Sequence, residues 1–193
     1  TLVAPVLALA CFATSLLAAT INVPGDQPDI AAAVAAAAPG DLILVTGGPY
    51  VVTSTILVNK ANLTIQGAGM GVTTLQVAQP VGNMFHITAA GVTIRDFSIQ
   101  KTDVAGVHEL IWVQAQNATI RDNEIYGPDP GTPWSVNGIV SRALVVSNGS
   151  DGLLVTGNDI HHLRQPAYFS GTNGLPSGNI TNNNVSGTRG WVV

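Results

Sequence analysis

A few basic side chains carry most of the chemistry that this sequence could perform. Lys101, Arg142, His162 and Arg164 lie in or beside segments rich in turn-forming residues. A histidine or lysine can act as a general base that removes a proton next to a carboxylate, and an arginine can neutralise that carboxylate and stabilise the enolate-like intermediate. We therefore take His162 or Lys101 as the candidate base and Arg142 or Arg164 as the candidate cation. The alternative is that each is an ordinary solvated loop residue.

Aromatic side chains form a second set of candidates. His86, Trp112 and Tyr168 lie in short apolar segments, Trp134 lies in the longest insertion between such segments, and Trp191 is near the end of the chain. Because side chains alternate along a strand, we expect all but Trp134 in one outward row, where flat apolar rings can contact the C–H surfaces of a sugar. A register slip of one residue would bury these rings in the core instead.

These candidates are positioned by a repeat. Short β-forming runs centred on Ile65, Ile94, Ile120, Val155 and Ile180 follow one another after 29, 26, 35 and 25 residues. From the second run onward, another β-branched residue follows five positions later, and an apolar strand precedes the run. A unit this small can bury its apolar face only by stacking on copies of itself. The sequence therefore predicts an all-β solenoid of about six coils, each with three short strands.

Asparagine recurs at one position of the repeat. Asn123, Asn158 and Asn183 each lie three residues after an aligned Ile or Val. Stacked coils would bring the three amides into an internal ladder in which each bonds the coil above and below. Asparagine also tolerates the backbone of a tight turn, which is compatible with the ladder.

One helix is predicted ahead of the repeat. Asp26 has the character of an N-cap and Pro28 of a first-turn residue, while Ile30 and Val34 share one apolar face. The Pro-Gly pair at 39–40 ends the segment.

Three sequence features point to a known superfamily: the predicted helix with the residues after it, from Ile30 to Ile43, the Gly-Gly-Pro-Tyr at 47–50, and the Ile-x-x-Asn-x-Ile repeats. Together they resemble the right-handed parallel β-helix, or pectin-lyase-like, superfamily. The resemblance covers residues 20–193. It implies a right-handed parallel β-helix in which an N-terminal capping α-helix closes the first coil. It also implies a ligand groove along the first strand of each coil, with the aromatic row on it and the basic loops beside it.

The function implied by this resemblance is action on, or binding of, an acidic polysaccharide, as a lyase or epimerase of uronic-acid polymers. Calcium is the one cofactor that the resemblance leaves open. The characteristic polygalacturonase elements do not occur, and the sequence has no acidic cluster of the pectate-lyase kind on the first strands. Since a fold alone does not define an activity, two alternatives stay open: a non-catalytic glycan-binding or adhesive surface module, and a structural solenoid.

Composition excludes several other classes. The chain has 193 residues and is 46% hydrophobic, which fits one folded domain and argues against intrinsic disorder. Only 9% of residues are charged, the net charge is −4, and Lys plus Arg number seven, so nucleic acid is not an expected partner. A single cysteine excludes an intramolecular disulfide and any multi-cysteine metal site.

The first residues predict export. Residues 1–19 are almost wholly apolar and end in small residues, as in a secretory signal peptide, with a membrane anchor as the alternative. We expect a removed signal peptide, no stable membrane insertion afterwards, and a protein that is secreted or at the cell surface. The strand-like residues 191–193 at the terminus lead us to expect a fragment with an incomplete C-terminal end.

Overall fold

The structure is a computed structural model that describes residues 17–78, 81–104, 109–129, 140–147, 149–171 and 176–190. These residues contain one helix, α1 (Ile30–Ala36), and short strands. The first nine strands are β1 (Thr20–Val23), β2 (Leu42–Val45), β3 (Tyr50–Val52), β4 (Ile56–Val58), β5 (Thr64–Gln66), β6 (Thr74–Val77), β7 (Asn83–Ile87), β8 (Thr93–Arg95) and β9 (Ser98–Lys101). The next nine are β10 (Glu109–Val113), β11 (Thr119–Arg121), β12 (Glu124–Tyr126), β13 (Arg142–Val146), β14 (Leu153–Thr156), β15 (Asp159–His161), β16 (Gln165–Phe169), β17 (Gly178–Thr181) and β18 (Asn184–Ser186).

Each turn of the chain adds one strand to each of three sheets. The seven-stranded sheet has the order β1-β2-β5-β8-β11-β14-β17, the five-stranded sheet β16-β13-β10-β7-β4, and the six-stranded sheet β18-β15-β12-β9-β6-β3. Every strand pair is parallel, and neighbours come from successive coils. The fold is therefore a parallel β-solenoid of about six coils with three strands each, which confirms the predicted architecture.

The core consists of apolar columns that run through the coils. In the seven-stranded sheet, Ile43, Ile65, Ile94, Ile120 and Val155 are in register and buried. Burying each such side chain is worth about 1.5–3 kcal/mol, so repeated apolar positions account for most of the stabilisation of a coil that has no core of its own.

The helix closes the first coil, with one change from the predicted cap. Asp29, not Asp26, is the N-cap, and its carboxylate accepts a hydrogen bond from the N–H of Ala32. The Asp26 carboxylate instead accepts from the backbone and side-chain nitrogens of Asn22, which lowers the pKa of that carboxyl. Two residues separate the two aspartates, and only Asp29 directly precedes the helical backbone. Within the described residues, no helix is long and apolar enough to span a bilayer.

A buried carboxylate ties the helix to the first strand. Asp41 accepts hydrogen bonds from the N–H of Ala19 at 2.8 Å and from the N–H of Ala38 at 2.8 Å. These two bonds lower the pKa of the Asp41 carboxyl, because they stabilise its ionised form. One side chain thus holds the residue before β1 and the chain just after α1.

One corner of the solenoid alternates Asn and Gly in the left-handed region. Asn62, Gly91, Asn117 and Gly152 all have φ between +56° and +72°. A Cβ built on Gly152 would lie 2.3 Å from Oδ1 of Asn117 in the preceding coil. Each Asn side chain therefore occupies the space that the glycine of the next coil leaves free, so the corner packs without a clash.

The predicted asparagine ladder is present. Asn123 Nδ2 donates to Asn158 Oδ1 at 3.0 Å, and Asn158 Nδ2 donates to Asn183 Oδ1 at 2.9 Å. The Asn123 Oδ1 accepts from the backbone N–H of Phe97, which holds the equivalent place one coil earlier. Asn123 and Asn158 are buried, so the ladder satisfies polar groups inside the solenoid.

Candidate functional site

The outer face of the five-stranded sheet carries the aromatic row. His86 of β7, Trp112 of β10, Val145 of β13 and Tyr168 of β16 are in register, and Leu57 of β4 extends the row. The side chains on the opposite side of these strands form a buried column of Phe85, Ile111, Leu144 and Ala167. Phe169 pairs with Val146, two residues further along the strand.

Two rings of the row are stacked and fixed at their polar edges. The rings of His86 and Trp112 have centroids 4.2 Å apart and lie 7° from parallel. The Nε2 of His86 is 2.6 Å from Oε1 of Gln114, and the Nε1 of Trp112 donates to Oγ of Ser147 at 2.8 Å. Gln114 and Ser147 both belong to the next coil, where Gln114 directly follows β10 and Ser147 directly follows β13. Stacked, partly exposed rings with satisfied polar edges form a positioned apolar surface.

A polar row runs beside the aromatic one. Asn83, Glu109, Arg142 and Gln165 occupy one register position in β7, β10, β13 and β16. Arg142 is the centre of this row: its Nη1 is 3.3 Å from Oε1 of Glu109, and its Nε donates to Oε1 of Gln165 at 2.9 Å. The guanidinium carbon also lies 4.7 Å from the ring centroid of Tyr168, a cation–π distance. Three partners thus hold Arg142 in one place.

The two rows enclose a shallow groove of about 280 Å³. Val145 is the short side chain of the outward row and leaves a gap between the larger rings of Trp112 and Tyr168, which lie two strands apart. The groove combines two aromatic side chains, one compensated ion pair and two serine hydroxyls. Its lining residues are Glu109, Trp112, Arg142, Val145, Ser147, Tyr168 and Ser170. Its volume is near the lower bound of about 300 Å³ for small-ligand sites, so it fits a short segment of a ligand.

Not all predicted site residues line this groove. Trp112, Tyr168 and Arg142 do, and His86 stacks on Trp112. Lys101, at the end of β9, is fully buried and in register with Val77, and its ammonium group contacts the Asp103 carboxylate at 2.6 Å. Lys101 is therefore outside this groove, with its charge compensated by Asp103. Trp134 and Trp191 lie outside the described residues.

His162 belongs to a chain of titratable side chains at another corner. Ser98 Oγ donates to Glu124 Oε2 at 2.6 Å, Glu124 Oε1 is 3.4 Å from Nε2 of His161, and the Nδ1 atoms of His161 and His162 are 2.9 Å apart. Neighbours in a strand point to opposite faces, but His162 has left the strand and has a φ of +53°, which brings the two rings together. Tyr126 stacks on His161, and burial together with the charge of Glu124 raises the pKa of its phenol.

The hydrogen-bond directions along this chain follow from its first acceptor. The Glu124 carboxylate can only accept, so His161 donates from Nε2 and has a lone pair on Nδ1. His162 then donates from its own Nδ1, which leaves the lone pair of its Nε2 unused within the pair. The Nε2 of His162 is therefore the ring nitrogen that has a lone pair and makes no bond within this chain of side chains.

Arg164 lines a second groove of about 390 Å³, together with Val140, Gln165, Arg189 and Gly190. Gln165 links the two grooves, because its Oε1 accepts from Arg142, which lines the first groove. Among the residues that the structure describes, no three His, Cys, Asp or Glu side chains converge on a point where a metal ion could bind.

Comparisons with protein-family models, with curated proteins and with solved structures each gave no match to the chain. The class of protein is thus defined by its architecture: a parallel β-solenoid with an aromatic-lined groove on its five-stranded sheet. The resemblance to the β-helix superfamily is supported at the level of that architecture.

Proposed function

We propose that this chain binds a glycan in the groove of the five-stranded sheet. The observation that carries the proposal is the outward row of His86, Trp112 and Tyr168, in register and bordered by polar side chains on both sides. Sugar rings present apolar C–H faces and polar hydroxyl rims. A surface of fixed rings between hydrogen-bonding groups complements both.

The direction of the row favours a polymer over a single sugar. Neighbouring strands of a sheet lie about 4.8 Å apart, and the row runs across them along the solenoid axis. A linear chain laid along this axis meets Trp112 and Tyr168 in succession, with Arg142 and Ser147 on its two sides. We therefore propose a polysaccharide ligand, and, given the predicted signal peptide at 1–19, a protein that works outside the cell.

The test is a binding titration by calorimetry against soluble neutral and uronic-acid polysaccharides, with and without calcium. We expect Trp112→Ala to weaken binding by roughly tenfold, from lost ring stacking and contact area. Tyr126→Ala is the matched control, because it removes a stacked, half-buried ring on a different sheet. Binding of no polysaccharide, or equal losses in the two variants at equal melting temperature, would refute the proposal and leave a structural solenoid.

The second candidate function is elimination or epimerisation of a uronic-acid polymer, favoured by the arrangement of Glu124, His161 and His162. The Nε2 of His162 would take the proton next to the sugar carboxylate. In elimination, a C=C bond then forms, the C–O bond to the next sugar breaks, and the departing oxygen takes a proton from water. In epimerisation, a proton returns to the opposite face. Arg164, two residues away, would neutralise the carboxylate.

Ultraviolet absorbance detects the unsaturated uronate of elimination, and deuterium uptake from D₂O detects epimerisation. We expect either signal to be lost in His162→Ala and reduced in Glu124→Gln, which weakens the proton chain but keeps its shape. No signal on any uronic-acid polymer would reject this candidate and leave glycan binding alone.

A further inference from the structure

Two arginines, Arg164 and Arg189, line the second groove without a counter-charge among the described residues. The N–H of Gly190 donates to the carbonyl of Arg164 at 2.8 Å, and the N–H of Arg189 donates to the carbonyl of Leu163 at 3.3 Å. These two bonds hold Arg189 and Gly190 against the backbone of Leu163 and Arg164 in the preceding coil. Neither guanidinium has an ion pair with any residue that the structure describes.

This pairing contrasts with the other arginines on the surface. Arg95 and Arg121 also come from matching positions of successive coils, but each has its own aspartate, at 3.0 Å and 2.5 Å. Like charges held in one groove repel each other. The described residues do not compensate the repulsion between Arg164 and Arg189, and a bound anion would compensate it.

The second groove has the chemistry to take that anion. No carboxylate is among its lining residues, and the two arginines converge on it with Gln165 and the small residue Gly190. A guanidinium offers planar paired donors that match the oxygens of a carboxylate or a sulfate. The groove is open to solvent, so an anion attached to a larger molecule can enter it.

The buried Gln165 joins this groove to the glycan groove. Its side chain accepts from Arg142 on one side and lines the arginine pair on the other. Charge divides between the two grooves: Glu109 compensates Arg142 in the first, while the second has two cations. We propose that Arg164 and Arg189 form an anion subsite that binds a carboxylate or sulfate group carried by the glycan. This inference rests on the proposed glycan binding.

The first experiment uses inorganic sulfate and does not require the glycan. We expect sodium sulfate to raise the melting temperature of the full chain more than sodium chloride of equal ionic strength. Arg189→Gln should reduce that excess to the general stabilising effect that sulfate has on proteins. Because it relieves the repulsion, this variant should melt no lower than the wild type without sulfate. Arg121→Gln, which removes a paired arginine, should keep the sulfate effect. A sulfate effect equal in wild type and Arg189→Gln would overturn the subsite.

The second experiment compares a uronic-acid oligosaccharide, its carboxyl-reduced counterpart and a sulfated glycan. We expect Arg189→Gln to lose roughly tenfold in affinity for the charged ligands and to bind the reduced one as the wild type does. Equal losses for charged and reduced ligands would overturn the anion subsite while the glycan groove stands. Absence of all glycan binding, with a sulfate effect that depends on Arg189, would overturn the proposed function and assign the arginine pair to a free anion.

Discussion

Replacing Asn158 with alanine is the sharpest test of how the coils are held together. The Asn158 Nδ2 donates to Asn183 Oδ1 and to two backbone carbonyls, those of Ile120 and Thr156, at 2.9–3.1 Å. Its Oδ1 accepts from both the backbone N–H and the side-chain Nδ2 of Asn123, at 3.1 Å and 3.0 Å. One amide thus links three successive coils.

The expected loss can be worked from these partners. Alanine leaves the buried N–H of Asn123 without an acceptor, which costs about 1–3 kcal/mol, and removes several further bonds worth about 1 kcal/mol or less each. We therefore expect Asn158→Ala to lower the free energy of unfolding by about 2–4 kcal/mol. For a chain of this size, that is a fall in melting temperature of roughly 5–15 °C. Asn158→Asp keeps the acceptor but turns a carboxylate toward the carbonyls, so we expect it to be worse at neutral pH.

The assay is urea unfolding followed by circular dichroism, with Asn184→Ala as the matched control. Asn184 is exposed and its side chain makes one bond, to Asp159 at 3.0 Å, so its loss should cost about 0.5 kcal/mol or less. Equal midpoints for Asn158→Ala and Asn184→Ala, with an unchanged slope, would show that the ladder contributes nothing beyond a surface bond and would refute this reasoning.

Three further changes test other parts of the structure. Gly152→Ala should destabilise the fold by about 1–3 kcal/mol more than Gly149→Ala in thermal unfolding, because both have positive φ but only the first puts a Cβ against Asn117. Asp41 has a lowered pKa, so its contribution is present above the unfolded value of about 3.9 and is lost as pH falls through the folded pKa; Asp41→Asn should flatten the melting temperature below pH 4, and an unchanged acid profile would contradict this. Arg142→Lys keeps the charge but loses the planar contacts, so calorimetry should show glycan affinity reduced by roughly fivefold, about 1 kcal/mol; full affinity would exclude those contacts from binding.

The repeat itself was predictable because its rules are local. Equal spacing of Ile94 and Ile120 within their coils predicts a column, and the fixed offset of Asn123 and Asn158 predicts a ladder. Alternation along a strand also predicts which side of β10 presents Trp112. Each of these inferences needs only the residue type and whether its side chain points inward or outward in the alternation along the strand. Because the coils repeat, the same pattern recurs in each coil and is easier to recognise.

The side-chain contacts of the site were less predictable, because they join residues of different coils. Gln165 reaches Arg142 and Ser147 reaches Trp112 only in the observed register of neighbouring strands, which the sequence of one coil does not contain. One signal is shared by Gln114 and Ser147, because each directly follows its strand of the five-stranded sheet. The approach of His161 and His162 depends on a left-handed turn at His162, a position that Gly187 occupies with the same sign of φ one coil later.

Salt dependence separates the two grooves without any mutation. A compensated ion pair and stacked rings gain little from long-range attraction, whereas two unpaired guanidinium groups attract an anion through a field that about 0.15 M salt screens within about 8 Å. The chain as a whole has a net charge of −4 and weakly repels an acidic polymer, whereas the local field of the two arginines attracts it. An acidic glycan should therefore bind less tightly as sodium chloride rises, and its carboxyl-reduced counterpart should not. If both fall together, the cations and the rings do not act as separate subsites, and the charge division between the grooves has no part in recognition.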